Sequence, residues 1–171
     1  MAKIYYFSKV RKMQQTIQAT RVDIHDVAQA FLSLDKMTHK KLQKLCYYAY
    51  AWYYTLYGQK LFNNSFQAWV HGPVCPELYH KYKDYGWQEI DKVDIIPFAI
   101  ENNPDIYEFI QEIYESYGHL NGDQLEYLTH MEDPWKEARG NLDDLEPCTT
   151  TIKDDVILRY YRRVLEDEQQ D

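Results

Sequence analysis

The stretch MTHKKLQKLCYYAYAWYYTLYG, residues 37–58, constrains the fold of this chain more than any other. Thr38 can accept a hydrogen bond from the first turn of a helix, and Gly58 can take the left-handed conformation that ends one. Between them Leu42, Leu45, Cys46, Ala49, Trp52, Tyr53 and Leu56 recur at steps of three and four, which puts them on one helical face. Tyr47, Tyr50, Tyr54 and Tyr57 extend the aromatic surface around the other sides, and Lys40, Lys41 and Lys44 crowd the N-terminal half. A helix apolar on most of its sides must be buried on most of its sides, so the segment is read as the spine of a predominantly α domain.

The rest of the chain supplies the neighbours. Val22, Val27, Ala30, Phe31 and Leu34 predict a first helix, with Asp23 and Asp26 near its positive end. Asn63-Asn64-Ser65 reads as a turn before a short alternating strand at Phe66 to Val70, and Trp87 to Ile96 is a second candidate strand that Asp91 and Asp94 weaken. Pro76 suits the first turn of a helix that stops at Gly86. Asn103-Pro104-Asp105 opens another, whose stripe Ile106, Phe109, Ile110, Ile113 and Tyr117 ends at Gly118. Leu125 and Leu128 mark a helix over Gly122 to Met131, and Asp133-Pro134 restarts the chain for two short turns before Gly140. Thr151 with Asp154 three residues later is similar to a capping box for a last helix carrying Val156, Ile157, Tyr160, Tyr161 and Val164. At 171 residues one core suffices. The expectation is a single compact domain of about six or seven helices with at most a small β element. It spans residues 22–167, after an N-terminal arm or short helix at residues 1–21 and before an acidic tail at residues 168–171.

Charge is divided unevenly. Residues 1–60 hold ten basic and three acidic side chains, net +7, and residues 61–171 hold nine against 24, net −15. Overall acidity opposes phosphate neutralisation, so nucleic acid is not an expected ligand, whereas a basic protein partner suits the acidic part. With 17 tyrosines, aromatic side chains exceed ordinary core needs, which fits either packing at the core's edge or a protein-binding face. No run of about 18 apolar residues occurs and the N-terminus has no signal-peptide pattern, so a cytoplasmic protein without a membrane span is expected. Cys46, Cys75 and Cys148 are odd in number and lack CxxC spacing, which suits reduced thiols.

The stretch WVHGPVCPELY, residues 69–79, gathers a histidine, a cysteine, a glycine and two prolines. His71, Cys75 and His80 have no fourth ligand at a recognised zinc spacing, and no base or orienting group for Cys75 is visible. The six glycines form neither GxGxxG nor GxxxxGK[ST]. No catalytic residue, metal or cofactor is therefore assigned. Gly72 permits a backbone angle closed to other residues, Pro73 fixes the next one and Pro76 starts a helix, so the stretch is read as a rigid corner. Such a corner is either buried as scaffold or displayed as a binding edge.

With these residues placed, LDKMTHKKLQKLCYYAYAWYYTLYGQKLFNNSFQAWVHGPVCPELYHKYKDYG resembles the Panacea domain, the family of SocA-like antitoxins and GepA-like proteins. The later LEYLTHMEDPWKEAR is similar to the family's Leu-Thr-x-x-x-x-Pro-Trp element, and the likeness spans about residues 34–140. It implies the antitoxin of a type II toxin-antitoxin pair, in a prokaryote or phage, that neutralises a co-encoded protein toxin by direct binding. One family member instead delivers its toxin to a protease, so a proteolytic adaptor is the alternative, ahead of an unrecognised enzyme. A homo-oligomer is also allowed. Since binding surfaces favour aromatic centres, the residues expected to meet a partner are Trp69, His71, Gly72, Pro73 and Tyr79 at the corner and Tyr48 on the spine helix.

Overall fold

Asp23 opens the first helix, α1 (Ile24–Leu34), with a capping box in which its carboxylate accepts from His25 and Asp26 while Asp26 accepts from the Asp23 N–H. The structure is a computed structural model that describes residues 21–170, so the arm expected at residues 1–21 lies outside the described residues except for Arg21. Met37–Thr38 forms a two-residue strand, β1, and leads directly into the spine helix α2 (His39–Tyr57). Thr38 accepts from the Lys41 N–H and Gly58 ends the helix at φ 68°, as the end signals require. Leu42, Leu45, Cys46, Ala49, Trp52 and Tyr53 are buried, and Leu56 is half-buried at the margin.

Around α2 the remaining elements close a cage. Strands β2 (Gln67–Trp69) and β3 (Gly72–Val74) make an antiparallel hairpin, followed by α3 (Pro76–Tyr82) and one 3-10 turn to Tyr85. Strand β4 (Glu89–Ile90), a one-turn helix α4 (Phe98–Glu101) and α5 (Pro104–Tyr117) come next. The chain then runs through α6 (Gly122–His130), α7 (Asp133–Arg139) and α8 (Asp154–Glu168). Helices α1, α5, α6 and α8 all pack on α2, which is why its aromatic sides find cover.

The predominantly α class is thus observed, with eight α-helices among the described residues rather than six or seven. The additional one is α4, a single turn between Pro97 and Asn102 that is too short to show a periodic stripe. The stretch expected as a strand from Trp87 to Ile96 pairs only at Glu89 and Ile90, against β1, and residues beyond it run as a strap toward α4. The capping box expected at Thr151 and Asp154 does not form. Thr151 instead bridges Gln67, flanked by Ala68 N–H to Thr150 O (2.9 Å) and Ile152 N–H to Phe66 O (2.8 Å). Asp154 accepts from the Tyr50 hydroxyl at 2.6 Å and pairs with Lys60 at 2.8 Å. These long-range partners outbid the local cap. Helix α8 continues to Glu168, into the residues read as a tail.

Candidate partner-binding site

Residues 67–74 fold as a tight hairpin, with Trp69 opposite Gly72 and only Val70 and His71 in the turn. Among the described residues only glycines have positive φ, so Gly72, at φ 95°, supplies the left-handed residue that such a turn needs. A Cβ there would lie 2.5 Å from Lys44 Cε and 2.8 Å from Thr129 Oγ1. Close packing and backbone angle therefore demand glycine together.

Four side chains hold the hairpin backbone from beneath. Gln43 donates from Nε2 to Cys75 O at 3.0 Å and accepts from Cys75 N–H at 2.9 Å. Lys44 Nζ donates to Pro73 O at 3.2 Å, Trp135 Nε1 to Trp69 O at 2.8 Å and an Arg139 guanidinium N–H to Ala68 O at 3.0 Å. Lys44 is fully buried, and burial lowers its pKa to about 7. Arg139, also buried, donates to the carbonyls of Asp143, Asp144 and Glu146 and lies 4.7 Å from the Trp135 ring centroid. These are costly groups to bury, and they are used to fix one turn.

The expected contact residues separate by exposure. His71 is exposed at the tip, while Trp69 and Tyr79 are half-buried against each other with ring centroids 4.9 Å apart. Gly72 and Pro73 are buried and set the geometry beneath the tip. Tyr48, expected on the exposed side of the spine helix, is instead fully buried. Its ring stacks on Tyr117 at 4.1 Å, and its hydroxyl donates to Glu132 at 2.5 Å. Helices α5 and α8 cover that side of α2, leaving Tyr48 no route to a partner. Glu132 also accepts from Tyr161 at 3.2 Å, yet burial outweighs both hydroxyls and raises its pKa to about 7.

At the surface the tip joins residues that periodicity did not single out. His71 Nδ1 is 3.2 Å from Glu126 Oε1, and Lys40 pairs with Glu126 and, at 2.6 Å, with Asp123. The Trp87 ring lies 6.2 Å from the His71 ring and 5.9 Å from Lys40 Nζ, and is 74% exposed. Burial tends to raise the Glu126 pKa, but Lys40 and His71 hold it below the usual carboxylate value. Tyr127, on the outer side of α6, and Met131, four residues on at the end of that helix, are also largely exposed. A signal for them existed: Leu125 and Leu128 turn one face of α6 inward, which sends Asp123, Tyr127 and Met131, at steps of four, to the other. The resulting surface is a rigid aromatic tip ringed by both signs of charge, a composition suited to protein contact.

The same stretch is poorly set for thiol chemistry, because burial pushes the Cys75 thiol up to about 12 while its Sγ lies 3.1 Å from Glu77. Among the described residues no group of three potential metal ligands converges, and no helix is long and apolar enough to cross a membrane.

A family model described as antitoxin SocA-like, Panacea domain, matches residues 42–136, which include the tip, Trp87 and α6. Antitoxin SocA of Caulobacter vibrioides is 32% identical over 149 residues, covering 74% of this chain and 79% of that protein. No solved structure matches the chain.

Proposed function

The chain belongs to the SocA-like Panacea-domain antitoxin family, and from that membership we propose that it neutralises a co-encoded protein toxin by stoichiometric binding, as the antitoxin of a type II pair acting in the cytoplasm. The contact centre is the hairpin tip: His71 with Trp69 and Tyr79 behind it, extended by Trp87, Tyr127 and Met131. The observation that carries this reading is the way Gln43, Lys44, Trp135 and Arg139 lock the hairpin backbone under an exposed histidine and tryptophan. A surface held rigid before it meets its partner loses less freedom on binding, which favours recognition. The role needs no catalysis by this chain.

Co-expression with the toxin encoded beside the gene tests it. Rescue of growth should require that the two proteins co-purify, and should persist in a strain lacking the main cytoplasmic proteases. Rescue lost in that strain while the complex still forms would replace neutralisation with delivery to a protease. Absence of any toxic neighbour would end the antitoxin reading for this chain.

A further inference from the structure

Trp87, in the turn before β4, differs from the other three tryptophans. The indole N–H groups of Trp52, Trp69 and Trp135 donate to the Tyr117 hydroxyl, the Gln67 side chain and the Trp69 carbonyl. That of Trp87 meets no acceptor among the described residues, and its ring is 74% exposed. Both the face and the polar tip of this indole are therefore unspent on the fold. Printed distances tie the ring to a set of charges. The His71 ring lies 6.2 Å from it and Lys40 Nζ 5.9 Å, His71 Nδ1 is 3.2 Å from Glu126 Oε1, and Lys40 pairs with both Glu126 and Asp123.

Within this cluster the cation is covered and one carboxylate is open. The side chains of Lys40 and Glu126 are 12% and 19% exposed, whereas that of Asp123 is 86% exposed and gives only its Oδ1 to Lys40. The bond from Lys40 also holds the Asp123 carboxyl below its ordinary pKa, so Asp123 is ionised at neutral pH. With His71 uncharged, one cation answers two carboxylates and a negative charge is left over. Lys44 beneath the hairpin offsets little of it above neutral pH, because burial lowers its pKa to about 7. What the cluster turns outward is an open indole and an ionised carboxylate. A cationic side chain satisfies both, and a guanidinium does so better than an ammonium: it is planar, lies flat on an indole, sheds water more readily and carries a fork of N–H donors for a carboxylate. Resting on the reading of the tip as the contact with a toxin, we propose that the toxin inserts an arginine here, its guanidinium over Trp87 and its N–H groups donating to Asp123. The net charge of −8 on the whole chain draws a basic surface toward the same contact.

Two measurements on the full chain test this. In the first, the indole N–H signal of Trp87 in isotope-labelled protein, assigned as the one missing from Trp87→Phe, is followed by nuclear magnetic resonance while Nα-acetylarginine amide or Nα-acetyllysine amide is added at equal ionic strength. The arginine probe should move it about three times as far as the lysine probe, leave the buried Trp52 and Trp135 signals in place, and move nothing in Asp123→Lys protein. In the second, the toxin encoded beside the gene is titrated against wild type, Asp123→Asn and Asp123→Lys. All three should melt within a few degrees of one another, since the side chain is exposed, while affinity falls about fivefold and about twentyfold, with the loss shrinking as salt rises. No shift of Trp87 with the arginine probe, equal shifts with both probes, or undiminished toxin binding by Asp123→Lys would each overturn the proposal. A wild-type chain that binds no toxin at all ends the neutralisation reading instead, and the first measurement then still decides whether the cluster takes a guanidinium.

Discussion

Replacing Glu132 by glutamine changes one atom in the middle of the protein and should change how stability depends on pH. The carboxyl is fully buried and accepts hydrogen bonds from Tyr48 and Tyr161, and burial lifts its pKa from 4.5 to about 7. A raised acid is neutral in both the folded and the unfolded chain below about pH 4.5, so there it costs nothing. Between about pH 4.5 and pH 7 the unfolded chain releases the proton while the folded one keeps it, and stability falls as pH rises. Above pH 7 the loss of stability is complete, at about 3 kcal/mol. Glutamine cannot ionise. It keeps one acceptor oxygen and turns the other position into a donor, so at acid pH it should cost about 1 kcal/mol. The difference in unfolding free energy between Glu132→Gln and the wild type should therefore move in favour of the variant by about 3 kcal/mol from pH 5 to pH 8. Urea denaturation followed by tryptophan fluorescence at four pH values measures it. A difference flat with pH would show that Glu132 is already ionised in the folded chain, and would refute the reasoning from burial.

Other outcomes follow from the same structure. Lys44 has the opposite sign: its pKa falls from 10.5 to about 7, so it contributes full stability only above about pH 10 and loses it as pH drops toward 7. Lys44→Met should thus stabilise the protein at pH 7 by a few kcal/mol, with the gain shrinking toward pH 9.5; a gain independent of pH in the same urea assay would contradict this. Leu45→Asp places an unpaired charge in a fully buried position and should abolish cooperative thermal unfolding. Gly72→Val should lower stability by about 3 kcal/mol and weaken partner binding, through the contact with Lys44 and the positive φ, and calorimetry with binding titration reads both. Trp87→Ala and His71→Ala should leave the melting temperature within a few degrees, since both side chains are exposed, while Trp87→Ala weakens toxin binding by about 30-fold or more.

The spine helix was legible because its information is local: a cap at Thr38, a stop at Gly58 and a stripe between them. The hairpin was legible in part. Gly72 and the prolines announce a stiff turn, and β2 pairs with β3 locally, but the support from Arg139 comes from a residue 71 positions beyond Ala68. Tyr48 shows where local reading ends. On a helix with aromatic residues on every side, nothing in the helix itself says which side is covered, and the answer comes from Glu132, 84 residues on. Thr151 and Asp154 illustrate the same limit, since a valid local cap lost to a backbone bridge and a tyrosine hydroxyl from the far half of the chain. Of the tip's exposed neighbours, Tyr127 is implied by the inward stripe of α6, whereas Trp87 sits in a loop where no period applies.

The backbone bridge has a consequence in time. Ala68 is held by Arg139 and by Thr150, so the edge of the hairpin is completed by residues made 71 and 82 positions later. A ribosome builds the chain from its N-terminus at roughly 5–20 residues per second, so several seconds separate the appearance of the tip from the arrival of the residues that lock it. Throughout that interval the nascent chain carries the hairpin sequence without the contacts that hold the hairpin. If the proposed contact at the tip holds, competence to bind is tied to completion: a chain that stops before residue 139 has made the tip but not the guanidinium that holds it, and would be a poor competitor for the partner of a finished molecule.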